Sequence, residues 1–207
     1  MLHNPFRIVE MFEEEVAHYT GAKYAVATTS CTDSLLMACV YEDVKGKEVT
    51  IPKKTYISVP QSIQHAGGIP KFEDVKWGGI YQLKPFPIYD SAKRLTSDMY
   101  IDGTHMCLSF HLKKPLCIGK GGMILTDNKD AYEWFLRARY EGRGFKKEDI
   151  SYREDSIDIM GWNMYMTPEQ AARGLWLMQH YPKHTEDQKE IPDYRDLTTF
   201  PLYKDNK

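Results

Sequence analysis

Short β-rich runs alternate with helical segments along most of the chain, and this alternation constrains the fold more than any other feature. Apolar or β-branched runs fall at Tyr24 to Thr28, Glu48 to Ile51, Pro70 to Val75, Pro87 to Asp90, Met106 to Phe110 and Met123 to Thr126. Between them, the spacing predicts helices over Thr32 to Tyr41, Ser58 to Ala66 and Lys129 to Glu141. Strands that alternate with helices predict an α/β layer fold with a largely parallel sheet. Ligands of such sheets gather at the carboxyl ends of the strands, so the turns that follow them are where chemistry is expected.

An amphipathic helix opens the chain. Asn4-Pro5 reads as an N-cap with proline at the first helical position, and Phe6, Val9, Phe12, Val16 and Tyr19 recur at helical spacing up to Gly21. Beyond Gly144 the chain is charged and loop-like. Thr167-Pro168-Glu169-Gln170 then reads as a helix start, with the helix predicted to run to about Tyr181. Residues 1–181 are read as one large domain. Residues 182–207 carry three prolines, many charges and little periodicity, and are read as a short tail or an arm lying on a partner.

At 207 residues and 42% hydrophobic content, the chain suits one sizeable core. Its 27 basic and 29 acidic residues are interspersed, which gives no basic stripe for nucleic acid. Cys31, Cys39, Cys107 and Cys117 lack zinc-ligand spacing and sit among apolar or small residues, as reduced cysteines do. Glu10, Glu13, Glu14 and Glu15 are incompatible with a signal-peptide core, and no apolar run reaches membrane-spanning length. The expectation is a soluble cytoplasmic protein with neither nucleic acid nor membrane as partner.

Three segments carry candidate chemistry. Asp90 ends an apolar strand, where it is available to a ligand, although an N-cap for a helix near Ser91 explains it equally well. Ser109-Phe110-His111-Leu112-Lys113-Lys114 follows another strand and leads into Gly119-Lys120-Gly121-Gly122, where backbone can approach a ligand closely. A solvated basic turn is the plain alternative there. Thr29 to Ser34 lies between a strand and an apolar helix, so its hydroxyls and first-turn amides suit a phosphate; capping by Thr32 accounts for the same residues.

Taken in order, these segments resemble the DegT/DnrJ/EryC1/StrS family of nucleotide-sugar aminotransferases over most of residues 8 to 180. Ser30-Cys31-Thr32-Asp33-Ser34-Leu35 is similar to the family's S-G-T-(A/D)-A-L turn, and Ala66 to Phe72 to its A-G-x-x-P-x-F strand. Asp90-Ser91-Ala92 is similar to D-A-A, and Ser109 to Gly122 to S-F-H-x-x-K followed by G-x-G-G, a spacing that selects Lys114 over Lys113. Gly161-Trp162-Asn163, with Met166 and Gln170-Ala171-Ala172, is similar to G-(Y/F)-N-Y-R-M followed by Q-A-A.

The resemblance implies the large domain of the type I, aspartate-aminotransferase-like fold and pyridoxal 5'-phosphate (PLP) as cofactor. It implies Lys114 as the Schiff-base lysine that forms the internal aldimine, and Asp90 as the partner of the pyridinium nitrogen. Tyr56 is implied to stack on the cofactor ring, and Ser30, Cys31, Thr32 and Ser109 to hold its phosphate. Asn163 would arrive from a second subunit of a homodimer. His111 would orient substrate, with a packed, hydrogen-bonded histidine as the alternative. The implied reaction moves an amino group from an amino acid, glutamate by expectation, to a nucleotide-linked keto-sugar.

The chain departs from that pattern in three ways. Lys93 stands where the family has glutamine or histidine beside the cofactor's phenolic oxygen, and Tyr165 replaces an arginine. The stretch from Phe72 to Asp90 is short, and the family's C-terminal small domain is largely absent. A PLP-binding homologue with weak or no transaminase activity, acting as a regulatory or partner subunit, is therefore the competing reading. A keto-sugar dehydratase fits less well, because Lys114 is retained where those relatives carry histidine. A non-enzymatic α/β module is the third reading. Arg143 is a minor candidate for a phosphate or carboxylate contact. The four tryptophans, and the tyrosines other than Tyr56, are read as core or interface aromatics.

Overall fold

The computed structural model describes residue 4 and residues 6–144, 157–188 and 194–204. Pro5, most of the charged stretch beyond Gly144 and part of the expected tail lie outside the described residues. Helix α1 (Arg7–Thr20) is followed by β1 (Tyr24–Thr28), α2 (Cys31–Tyr41), β2 (Glu48–Pro52), α3 (Ser58–His65) and β3 (Ile69–Glu73). Then come β4 (Tyr81–Gln82), β5 (Ile88–Asp90), β6 (His105–Ser109), β7 (Gly122–Thr126), α4 (Lys129–Ala138) and α5 (Pro168–Met178). Two 3-10 turns, Leu197–Thr199 and Pro201–Tyr203, end the described chain.

The α/β architecture holds, but the pairing is mixed where the alternation predicts mainly parallel strands. The five-stranded sheet runs β1-β7-β6-β5-β4, with only β5–β6 parallel, and β2–β3 forms a separate parallel pair. The cause lies in the connections. No helix intervenes between β6 and β7, so the chain turns back on itself and the two strands pair antiparallel. The short stretch before Asp90 likewise folds into β4, antiparallel to β5. A bridge between Thr50 and Lys84 joins the two-stranded sheet to this edge.

Strand alternation divides the apolar residues into two cores. Ala25, Ala27, Met106, Leu108, Met123 and Leu125 face α1 and α5, packing against Phe12, Val16 and Ala171. Val26, Ile88, Cys107 and Ile124 face α2 and α4, packing against Leu35, Met37 and Phe135. Gly21, at φ +78°, ends α1 in the left-handed conformation that glycine adopts without strain. Thr167 and Gln170 form a reciprocal capping box that starts α5, with Pro168 in its first turn. At the opening of α1, the Asn4 side chain accepts from the Phe6 amide at 3.0 Å. Among the described residues, no helix is long and apolar enough to cross a membrane.

Candidate active site

Three carboxyl-terminal strand ends and the first turn of α2 converge on a cavity of about 550 Å³, within the size range of small-molecule and cofactor sites. The start of α2 is fixed first. Ser30, rather than Thr32, is its cap: its hydroxyl accepts from the Asp33 amide at 3.2 Å. Thr32 instead donates to the Ser58 hydroxyl at 2.8 Å, tying α2 to α3. Gly122 lets β7 approach this turn, since a Cβ there would lie 2.3 Å from the Ser30 carbonyl carbon and 2.4 Å from the Cys31 nitrogen. The first-turn amides of α2, which lack intrahelical acceptors, therefore stay beside the cavity.

Asp90 forms the polar floor. It is buried, and no helix begins at Ser91; its Oδ1 accepts the Ala92 amide at 3.0 Å in a turn, which removes the N-cap alternative. Its Oδ2 accepts the Tyr81 hydroxyl at 2.8 Å, and Tyr81 in turn meets the Thr55 hydroxyl at 2.6 Å. Burial pushes the Asp90 carboxyl up, while the Ala92 amide, the Tyr81 hydroxyl, Lys114 and Lys93 pull it down. Burial also raises the Cys31 thiol, on the wall facing Asp90.

Lysines surround this acid. Lys114, half-buried, lies on the cavity wall, as do the exposed Lys113 and Lys120. The Lys114 amide donates to the His111 carbonyl at 2.9 Å, closing the turn after β6. Lys93 is buried, and its ammonium lies 4.8 Å from the ring centroids of both Trp77 and Tyr194.

The structure thus brings together Ser30, Cys31, Thr32, Tyr56, Asp90, Lys93, Ser109, His111 and Lys114 around one cavity. Tyr56 is exposed at its mouth. His111 is exposed too, which sets aside its reading as a packed core histidine. Asn163 does not line this cavity; its amide donates to Glu141 Oε1 at 2.9 Å. Arg143 does not line the cavity either, and pairs with Glu141 at 3.4 Å.

The sequence assigned no site role to Trp77, Tyr81, Thr55 or Tyr194; Tyr81 is the core aromatic expected of it and in addition reaches Asp90. Trp77 and Tyr194 line the cavity as walls around Lys93, and Tyr81 and Thr55 support Asp90. The one available signal was the shortness of the Phe72-to-Asp90 stretch, which forces Trp77 and Tyr81 close to Asp90. The segment expected as a tail or an arm lying on a partner lies in its described part against its own chain. Asp187 forms a two-pronged pair with Arg94 at 2.6 Å, the Gln188 amide donates to the Lys93 carbonyl, and Tyr203 is buried against Phe72.

The residues present fit the PLP that the resemblance implies. A buried carboxylate faces the cavity, an amine reaches it from the turn after β6, and a helix start with hydroxyls on it offers an anion cradle whose backbone a Cβ at position 122 would displace. Comparison with known proteins agrees. The chain is 25% identical to the Bacillus subtilis spore coat polysaccharide biosynthesis protein SpsC, over 88% of this chain and 59% of that protein. It is 25% identical to the GDP-perosamine synthase of Escherichia coli O157:H7, over 89% and 61%. The chain therefore spans about three fifths of the length of these curated relatives.

Among solved structures, Helicobacter pylori PseC, an aminotransferase involved in the biosynthesis of pseudoaminic acid, superposes with a TM-score of 0.71. The two share 17% identity over 88% of this chain and 64% of that one. NtdA from Bacillus subtilis with bound cofactor PMP superposes with a TM-score of 0.67 at 22% identity, over 84% and 48%. At these identities the likeness shows a shared fold. Residues 3–87 and 101–197 match the family described as the DegT/DnrJ/EryC1/StrS aminotransferase family, a match that takes in the Ser30 turn and the Lys114 loop, and the chain belongs to that family.

Proposed function

We propose that this chain binds PLP and serves a sugar aminotransferase reaction, moving an amino group from an amino acid, glutamate by preference, to a nucleotide-linked keto-sugar. The observation that carries the reading is the convergence of Asp90, Lys114 and the start of α2 on one cavity, in a chain of this family. When bound, PLP supplies an electron sink for carbanion chemistry at the substrate.

The protein's part is to bind, orient and move protons. Asp90, ionised, pairs with the protonated ring nitrogen and keeps it protonated. The amides of Cys31 and Thr32, with the hydroxyls of Ser30, Thr32 and Ser109, hold the phosphate at the positive end of α2. The Lys114 amine would hold the cofactor and would serve as the general base and acid that takes and returns the proton at the substrate carbon. Tyr56 covers the ring face, and His111 at the mouth orients the incoming substrate.

Asn163 does not line its own chain's cavity, which leaves it to complete the phosphate site of a second copy in a homodimer. Four thiols without a disulfide fit a reducing cytoplasmic setting. The names of the relatives, a spore coat polysaccharide biosynthesis protein and a GDP-perosamine synthase, favour a role in polysaccharide biosynthesis.

The test is cofactor uptake by visible absorption, with borohydride reduction and peptide mass to locate the attachment. Uptake fixed at Lys114, and lost in Lys114→Ala, is the expected result. Identical behaviour of the two proteins overturns the assignment.

A further inference from the structure

We infer that Tyr81, backed by Thr55, is a positioning residue that keeps Asp90 ionised and aimed at the cavity. The inference rests on the cofactor reading above only for its consequence, since the hydrogen-bond chain exists in the protein by itself. Asp90, Tyr81 and Thr55 are at most 8% exposed, so solvent has little access to their hydrogen bonds. An ionised carboxylate only accepts, so the single proton of the Tyr81 hydroxyl goes to Asp90 Oδ2 at 2.8 Å. The Tyr81 oxygen must then accept from Thr55, at 2.6 Å. The chain has one direction: Thr55 donates to Tyr81, and Tyr81 donates to Asp90.

The backbone gives this chain its rigidity. Tyr81 and Asp90 are opposite each other in the β4–β5 ladder, so the phenol is fixed by strand register rather than by a flexible loop. Trp77 packs edge-on against the Tyr81 ring at 4.7 Å and donates its indole N–H to the Lys54 carbonyl at 3.0 Å. The same Trp77 ring forms one wall around the Lys93 ammonium. One small cluster, built on the short connection before β5, therefore supports both the acid and a cation near it.

The need for that support follows from burial. A carboxyl in this environment favours its neutral form, and a neutral acid cannot hold a proton on the cofactor's ring nitrogen by charge. The groups facing Asp90 are Tyr81 from β4, Cys31 from α2, Cys107 from β6, Lys114 from the turn after β6, Lys93 from the turn after β5, and Tyr194. Burial raises both thiols and Tyr194, so these stay neutral near neutral pH, and only the two lysines and the two hydrogen bonds favour the anion. Of these, the Tyr81 hydroxyl is the side-chain hydrogen bond, and Tyr81→Phe deletes it at almost constant volume.

The test is a carboxyl NMR titration of Asp90 in the cofactor-free protein, beside PLP affinity measured across the same pH range, for wild type, Tyr81→Phe and Thr55→Val. In Tyr81→Phe the Asp90 titration is expected to move up by about one pH unit, with the acid limb of PLP affinity following it. Thr55→Val is expected to give a smaller shift in the same direction, and it serves as the reporter if Tyr81→Phe does not fold. An Asp90 titration that coincides in wild type and in the folded variants overturns the inference, even if their melting temperatures fall. Failure of the cofactor reading shows separately, as a wild type that takes up no PLP while the Asp90 titration still moves between variants.

Discussion

His105 shows how a single buried residue reads pH in this fold. Its ring is almost fully enclosed between Tyr41 and Phe135, with Nε2 at 3.0 Å from Glu42 and Nδ1 at 3.1 Å from the Thr126 hydroxyl. A carboxylate can only accept, so the neutral ring donates through Nε2 to Glu42 and its Nδ1 accepts from the Thr126 hydroxyl. Burial lowers the His105 pKa, with Glu42 partly opposing it. A base depressed in the fold binds its proton first in the unfolded chain. Stability is therefore complete above the ordinary histidine value near about 6.5 and falls as pH drops below it, by at most about 1.4 kcal/mol per pH unit. Urea unfolding across that window is expected to show this slope in wild type and to lose it in His105→Gln. At this scale the sequence disclosed polar residues that end apolar strands, which is why Asp90, Ser109 and Lys114 stood out. It did not disclose Tyr81, Trp77 or Tyr194, because a tyrosine or tryptophan among apolar neighbours has the signature of a core residue. Their partners, Asp90 and Lys93, become neighbours only through strand pairing and the return of the distal segment.

Between elements, the closest constraint at the site is the contact of β7 with the start of α2. A methyl group at position 122 meets backbone atoms of Ser30 and Cys31, and backbone cannot rotate away as a side chain can. Gly122→Ala is expected to cost about 1–3 kcal/mol and to weaken PLP binding by displacing the first turn of α2. Urea unfolding and cofactor titration check the two effects separately; full-affinity binding would show that the turn tolerates the shift. Helix α5 was legible because its cap is local: Thr167, Pro168 and Gln170 mark it within four residues. Predicted strands lie within two residues of those found, with Tyr24–Thr28 matching at both ends. The two-residue β4 was invisible, being too short to show a period of two, and the sense of pairing depends on connections whose path no periodicity reports.

Over the whole molecule, the described part of the distal segment lies across the region between β5 and the cavity. Among its polar anchors are the Asp187–Arg94 pair, the Gln188 contacts with Lys93 and Lys113, and the Lys53–Asp196 pair at 3.3 Å. Asp187→Asn is expected to loosen it, read as faster limited proteolysis beyond Pro182, while cleavage within α1 to α5 stays unchanged. Equal cleavage of both proteins would mean that the remaining contacts, the buried Tyr203 and Leu197 among them, hold the segment without the Asp187–Arg94 pair. Composition pointed to a tail here because charges and prolines mask three well-placed apolar side chains, Tyr194, Leu197 and Tyr203.

The cavity wall runs in sequence from Ser30 to Tyr194. During synthesis, a nascent chain that has displayed Ser30, Asp90 and Lys114 but not yet Tyr194 still lacks one face of the chamber, so the full wall exists only once residue 194 has been made and has folded back.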